Sequence, residues 1–195
     1  MNNTLHNYKP SAREYLSKLV KTLELLDLQS VSDVVNVLES ALTANGTIYV
    51  FGNGGSASTA SHMQNDFNRG LSDYSEKKFK FCCLSDNIAT ITAIANDFSY
   101  EDIYYHQLKD RLLPQDLVIA VSGSGNSKNV IKAAKYAISK GNKVIGLTGF
   151  DGGELLKIAN FNIHVAINDM QVTEDIHLIL NHLMMNIFKQ EMLKR

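Results

Sequence analysis

Two short loops rich in glycine and serine, each between an apolar run and a helix-like run, constrain this chain most. The first loop, Gly52–Ser56, follows the apolar run Thr47–Phe51, and the second loop, Ser122–Ser127, follows Leu117–Val121. Glycine lets the backbone approach a ligand, serine hydroxyls donate hydrogen bonds, and a helix N-terminus presents free N–H groups at its positive end. Two such loops predict a ligand with a phosphate at one end and hydroxyls along the rest, such as a sugar phosphate.

Apolar, strand-like runs alternate with helix-like runs through the middle of the chain. Strands that are apolar throughout and alternate with helices indicate an α/β fold, here a doubly wound five-stranded parallel sheet flanked by helices. Ligands of such sheets bind beyond the carboxyl ends of the strands, where both loops fall. The predicted strands are 47–51, 79–84, 117–121, 143–147 and 161–166, and the predicted helices are 56–69, 86–95, 100–112, 127–140, 152–159 and 171–194.

An N-terminal helical lead-in and a long C-terminal helix flank this alternating core. Apolar side chains recur at helical spacing over 11–45, with Ser30 or Ser32 as the predicted cap of the second helix and Asn45-Gly46 as its end. The final run, 171–194, has an apolar stripe broad enough to contact more than one element. These helices are predicted to pack either against another subunit or on their own domain.

Composition excludes several classes of protein. The net charge of −1 provides no basic surface for nucleic acid or for an anionic membrane. No apolar run approaches the ~20 residues of a membrane span, and the first six residues lack the basic and apolar regions of a signal peptide. We therefore expect a cytoplasmic protein that binds neither nucleic acid nor membrane. It is predicted to be one domain over 1–195, with helices at 11–45, a core at 46–170 and a final helix at 171–194.

Four polar side chains on two helix-like runs form a candidate metal site. His62 and Asp66 lie four residues apart and share one face of the helix after the first loop. Glu174 and His182 lie eight residues apart in the otherwise apolar final run, close enough in angle to address one side. Two imidazoles and two carboxylates suit a tetrahedral zinc or a similar divalent ion. The alternative is an ordinary ion pair on a helix surface.

Other motifs are less specific. The first loop lacks the Lys-Ser/Thr of a P-loop and does not fit Gly-x-Gly-x-x-Gly, so the sequence does not indicate an ATP or nicotinamide site. Asn96-Asp97 follows a helix-like run and is open to two interpretations, a plain C-cap turn or a functional dipeptide.

The stretch Phe51–Ser58, followed by His62, resembles the SIS (sugar isomerase) domain family and, within it, the phosphoheptose isomerases. The resemblance implies an SIS-type fold and conversion of sedoheptulose 7-phosphate to D-glycero-D-manno-heptose 7-phosphate, the first step of activated heptose biosynthesis. It covers nearly the whole chain in order and at family spacing. Its further matches are Ala95–Phe98, Ser122–Ser127, Leu147–Gly149 with Asp151–Gly153, and the segment from Glu174 to His182.

The resemblance also implies a role for each site residue. Asp66 and His182 would occupy the base and acid positions of an enediol(ate) mechanism, and which of them is the base stays open. Zinc would be held by His62, Asp66, Glu174 and His182, in a pocket that the family assembles between the subunits of a homotetramer. The expected substrate contacts are Asn53, Gly54, Gly55, Asp66, Asn96, Asp97 and Glu174, and the expected phosphate contacts are Ser122, Gly123, Ser124 and Ser127.

Three positions depart from the family pattern. Asp66 stands where the family usually has Glu, Glu174 where some members have Gln, and Gly123 where Thr is common. The shorter Asp66 reaches less far, and Glu174 makes the site more anionic. The alternatives are a non-catalytic SIS protein of the DnaA-initiator-associating type, or an isomerase or sensor for another sugar phosphate. The former type lacks the second histidine of the C-terminal helix, so His182 favours the enzyme.

Overall fold

The computed structural model describes residues 6–74 and 76–194. One sheet is flanked by helices along the whole described chain. Its strands are β1 Ile48–Gly52, β2 Phe81–Cys83, β3 Leu117–Ser122, β4 Lys143–Gly149 and β5 Phe161–Val165. The α-helices are α1 Lys9–Glu24, α2 Leu28–Thr43, α3 Gly55–Asn65, α4 Ile88–Asp97, α5 Tyr105–Leu108, α6 Lys128–Ser139, α7 Gly153–Ile158 and α8 Met170–Met192.

The five strands are parallel and lie in the order β2-β1-β3-β4-β5, which confirms the predicted doubly wound α/β fold. The chain winds outward in one direction from β1 and in the other from β3. In the register between these two strands, Gly52 is opposite Val121, so both strands end at the same level. The first and second loops therefore leave the sheet side by side, at the switch point where ligands of this architecture bind.

Both faces of the sheet are covered, as wholly apolar strands require. All six residues of β3 are buried, and their side chains alternate between two apolar layers. Ile119 and Val121 pack in the layer formed with α2, α3 and α8, whereas Val118 and Ala120 pack in the layer that contains α6. The sheet is thus a rigid platform, and α3 and α8 lie in the same layer on one face of it.

The structure corrects two local predictions. The segment 100–112 is not one helix, because a 3₁₀ turn at Tyr100–Asp102 is followed only by the short α5. Asp27 caps α2, accepting a hydrogen bond from the backbone N–H of Gln29, so neither predicted serine is the cap. Ser30 lies inside the first turn of α2 and donates from its hydroxyl to the Asp27 carboxylate.

The terminal helices pack on their own domain, and they also leave apolar surface exposed. Helix α2 buries Val34 and Leu38 in the core, whereas α1 packs against α8 and leaves Leu16 and Val20 exposed. In the described part of the chain, no helix is long and apolar enough to cross a membrane.

One histidine is buried completely within this packing. His177 on α8 has its Nε2 3.3 Å from the backbone oxygen of Thr148 in β4. Burial lowers the pKa of His177 from 6.5 to about 4, the backbone contact opposes this change, and the nearby His164 adds to it. The folded protein therefore holds this imidazole neutral at a pH where an unfolded chain would protonate it.

We expect the free energy of unfolding to decrease as the pH is lowered, because the folded protein holds His177 neutral. Its contribution is complete above the unfolded pKa of 6.5 and is lost as the pH falls toward the folded pKa of about 4. The free energy of unfolding should drop by about 2 kcal/mol between pH 8 and pH 5 from this group, measured by urea unfolding. His177→Gln keeps a donor for Thr148 but does not titrate. The free energy of unfolding of this variant should therefore drop by about 2 kcal/mol less between pH 8 and pH 5 than that of the wild type. Equal slopes in the two proteins would contradict the assignment.

Candidate active site

Three of the four predicted metal ligands meet where α3 and α8 lie together. The Nε2 atoms of His62 and His182 are 3.2 Å apart, and Asp66 Oδ2 lies 3.2 Å from the first and 3.4 Å from the second. We call these three residues the metal cluster. Both imidazoles are about half exposed, whereas the carboxylate is nearly buried. The histidine side of the cluster therefore faces solvent, and the Asp66 side faces the protein interior.

The donor set and its spacing fit a tetrahedral ion. Zinc binds imidazole nitrogen and carboxylate oxygen at about 2.0–2.2 Å, which places two ligand atoms of a tetrahedral site about 3.3–3.6 Å apart. The three distances within the metal cluster, 3.2 to 3.4 Å, match this spacing. A plain ion pair on the surface of α3 would not bring a second imidazole from α8 to the same oxygen. The cluster is therefore a candidate metal centre.

Two amides hold the carboxylate of the metal cluster. Asn181 donates from Nδ2 to Asp66 Oδ2 at 2.7 Å, and Asn65 donates to Oδ1 at 3.3 Å. Asp66 also begins a π-helical turn, Asp66–Gly70, that follows α3 directly. Such turns are rare and are frequent at functional sites. Asn181 is not among the residues predicted from the sequence, although its position beside His182 in an otherwise apolar helix is a visible signal.

A small cavity of about 240 Å³ lies between the first and second loops. It is where α3 and α6 begin, and the residues at these helix starts, Gly54 and Ser127, make no side-chain capping bond. Free N–H groups at a helix N-terminus attract anions. The predicted residues that line the cavity are Asn53, Gly54, Gly55, Ser122, Gly123, Ser124, Ser127 and Glu174.

Glu174 lies at this cavity and is not part of the metal cluster. A methyl group placed on Gly55 would be 2.3 Å from the Glu174 carboxyl carbon, so the acid covers the N-terminus of α3. His182 lies two turns further along α8, about 12 Å by helix rise. The carboxylate disfavours a second anion at α3, which leaves the second loop and the start of α6 as the better phosphate site.

The second loop is shaped by internal hydrogen bonds. Ser122 donates from its hydroxyl to that of Ser127 at 3.1 Å, and the backbone N–H of Asn126 donates to the Ser124 hydroxyl at 3.2 Å. Gly125 has φ +65°, and a methyl group there would meet the backbone oxygen of Gly152 at 1.9 Å. The loop therefore needs glycine at position 125 for both its conformation and its contact with the start of α7.

Asn53 is fixed by residues that sequence reasoning missed. Its side-chain oxygen accepts hydrogen bonds from Tyr100 at 3.0 Å, Tyr104 at 3.1 Å and Asn129 at 3.0 Å. Burial raises the pKa of Tyr104 to about 12, so its hydroxyl keeps its proton and donates. These partners come from the misassigned segment after α4 and from α6, and no local pattern connected them with the first loop.

Asn96 and Asp97 belong neither to the metal cluster nor to the lining of the small cavity. They are exposed at the end of α4, where Asn96 donates from Nδ2 to the Asp97 carboxylate at 3.0 Å. Neither residue lines the small cavity. Their predicted contact with substrate stays a prediction.

Comparison with known proteins gives a consistent result. Residues 7–149 match the SIS domain family. A probable phosphoheptose isomerase of Thermoplasma acidophilum is 32% identical over 172 residues, which are 88% of this chain and 94% of that protein. The phosphoheptose isomerase of Shewanella oneidensis is 34% identical over 183 residues, 91% of each chain. The solved phosphoheptose isomerase of Neisseria gonorrhoeae shares the fold, with a TM-score of 0.86, 24% identity, and 94% of this chain and 100% of that one covered.

Gly125→Ala should damage the second loop more than a change at another glycine of positive φ. Gly141 has φ +85°, but a methyl group there meets nothing within 4 Å, so Gly141→Ala measures backbone strain alone. We expect Gly125→Ala to lose about 1–3 kcal/mol of stability beyond this control, by urea unfolding, because the backbone at Gly152 must move. Binding of inorganic phosphate, by calorimetry, should weaken in Gly125→Ala only. Equal effects of both substitutions would contradict the account of the loop.

Proposed function

The chain belongs to the SIS domain family and, within it, to the phosphoheptose isomerases, and on this basis we propose that it converts sedoheptulose 7-phosphate to D-glycero-D-manno-heptose 7-phosphate. This aldose–ketose isomerisation is the first step of activated heptose biosynthesis. The observation that carries the proposal is the pairing of two sites along α3 and α8. The cavity between the two loops, with the proposed phosphate site on its α6 side, borders the beginning of α3, and the metal cluster lies at the end of α3.

The spacing of the two sites suits an extended sugar phosphate. Gly55 and His62 are seven residues apart on α3, which corresponds to about 10 Å of helix rise. The phosphate would accept hydrogen bonds from Ser122, Ser124 and Ser127 and from the N–H groups that begin α6. With the phosphate anchored there, the carbonyl end of the open-chain sugar extends toward the metal cluster. Anchoring the far end orients the reacting carbons.

The reaction moves protons and changes no other bonds of the carbon chain. A base removes a proton from C1 of the ketose, an enediol(ate) forms, and a proton returns to C2 while the hydroxyl proton moves from O1 to O2. Asp66 and His182 are the pair that we propose for these transfers. With zinc bound to Asp66 Oδ2 and His182 Nε2, the atoms left to carry protons would be Asp66 Oδ1 and His182 Nδ1. General acid–base catalysis of this kind contributes ~10²–10⁴-fold to a rate. Asn53 would position the sugar hydroxyls, and Glu174 would contact them from the cavity.

Zinc is the metal that we propose for this site. His62, Asp66 and His182 would hold it, and their spacing and donor types support that choice. When bound, such an ion polarises a carbonyl oxygen and stabilises the oxygens of an enediolate. Glu174 would need to move toward the cluster to become the fourth ligand proposed from the sequence.

The assembly that we propose is a homotetramer. The exposed apolar residues of α1, including Leu16 and Val20, would pack against another subunit and support this assembly. The substrate is a small phosphorylated sugar, whose charge opposes passage through a lipid bilayer. We therefore propose that the protein acts in the cytoplasm, without nucleic acid or membrane as a partner.

Asp66→Asn and His182→Ala should each lower the turnover of sedoheptulose 7-phosphate by at least ~10²-fold, because each removes a proton-transferring group. Fructose 6-phosphate serves as the control substrate and should not be converted. Asp73→Asn changes an exposed carboxylate seven residues after Asp66, paired with Arg69, and should retain wild-type activity. Wild-type turnover in both Asp66→Asn and His182→Ala would refute the proposed mechanism.

Removal of metal with a chelator should abolish turnover and lower the melting temperature, because an ion that binds only the folded state stabilises it. Zn²⁺ should restore both properties, whereas Mg²⁺ should not, since it prefers oxygen ligands to imidazole. His62→Ala should melt at the same temperature with and without Zn²⁺. A wild-type protein that is fully active after metal removal would rule out the proposed zinc site.

A further inference from the structure

The Asp66 carboxylate of the metal cluster accepts a hydrogen bond from Asn181, a residue to which no catalytic or metal-binding role has been assigned above. Asn181 on α8 is completely buried, and its Nδ2 donates to Asp66 Oδ2 at 2.7 Å. That oxygen is the one that faces both imidazoles, at 3.2 and 3.4 Å. The amide therefore contacts the atom on which the geometry of the cluster depends.

The orientation of this amide follows from hydrogen-bond chemistry. An ionised carboxylate only accepts hydrogen bonds, so the NH₂ group of Asn181, and not its oxygen, must face Asp66. The terminal torsion of an aspartate has a broad, nearly two-fold profile, which leaves the carboxylate free to rotate unless partners fix it. Asn181 on Oδ2 and Asn65 on Oδ1 are the two amide partners that oppose rotation, in addition to the imidazoles at Oδ2.

Packing alone does not explain an asparagine at position 181. Its side-chain oxygen is buried without a hydrogen-bond partner among the described residues, which is unfavourable. The neighbouring buried positions of α8, Leu180 and Met184, are apolar. A leucine of similar shape at 181 would fill the position and leave no orphaned oxygen. The bond to Asp66 is the favourable interaction that the asparagine provides.

We propose that Asn181 is a positioning residue that fixes the Asp66 carboxylate toward His62 and His182 and so raises the affinity of the cluster for zinc. This inference rests on the proposed function, because it needs the metal cluster to bind an ion. Asn181 acts through Asp66 and touches neither substrate nor metal. Partners of this kind typically change metal affinity by 10–100-fold when they are removed.

The test measures zinc binding directly. Metal-free full-length protein is titrated with Zn²⁺ in competition with a chelating dye, for the wild type, Asn181→Leu and Asn181→Ala. These two variants leave different volumes, so a loss of affinity common to both reports the missing hydrogen bond and not the packing. Cooperative thermal melting shows that each variant is folded. Asn162→Leu is the matched control, because its amide oxygen is also buried without a described partner but lies on β5, away from the cluster.

We expect both Asn181 variants to bind Zn²⁺ 10–100-fold more weakly, with Asn162→Leu unchanged. The visible absorption of the Co²⁺-loaded protein should change as well, because it reports ligand geometry. At saturating zinc, kcat for sedoheptulose 7-phosphate should fall while KM stays near the wild-type value, since the cavity that contains the proposed phosphate site begins at Gly55, about 10 Å from His62 by helix rise.

Two results would overturn the inference. If either folded Asn181 variant binds Zn²⁺ as tightly as the wild type, Asn181 does not position Asp66, while the proposed isomerase function stands. If the wild-type protein binds no Zn²⁺, both the zinc site and this inference are wrong.

Discussion

The reversal of strand order between β1 and β3 is the constraint on which the rest of the structure depends. Parallel strands that share a register end at one level, so the two loops that follow them are forced together. Each loop leads directly into a helix, and the two helix N-termini converge on one small cavity. In the function proposed above, the second loop would contact the phosphate and the first loop the sugar hydroxyls, a division that requires both loops at one cavity.

The packing of α3 against α8 then places the metal cluster at the end of α3 that lies away from that cavity. Gly55 allows the close approach, because a side chain there would collide with Glu174. At the other end of α3, the same packing brings His182 to His62. The packed helix pair therefore sets the separation between the cavity and the metal cluster. Changes in the length of the preferred substrate would require a change along these helices, not in the loops alone.

The sequence was sufficient for features that local periodicity determines. Wholly apolar strands alternating with helices predicted the parallel sheet, and spacing of four residues predicted that His62 and Asp66 share a face. Contacts between distant segments were less accessible. The separation of Glu174 from the metal cluster depends on where α8 docks, and the hydrogen bonds of Asn53 depend on a turn at Tyr100–Asp102 that resembles a helix in sequence. Sequence periodicity predicts which residues share a face of one helix or strand, but it does not predict which residues of two elements come into contact.

The contribution of α8 has a consequence for protein synthesis. A nascent chain that has left the ribosome up to β5 already contains both Gly/Ser loops, the sheet and two of the three residues of the metal cluster. It still lacks the second imidazole, the acid over the α3 N-terminus and the apolar stripe that covers one face of the sheet. Assembly of the metal cluster and completion of the core therefore both await the emergence of α8, and a chain truncated before α8 would have neither.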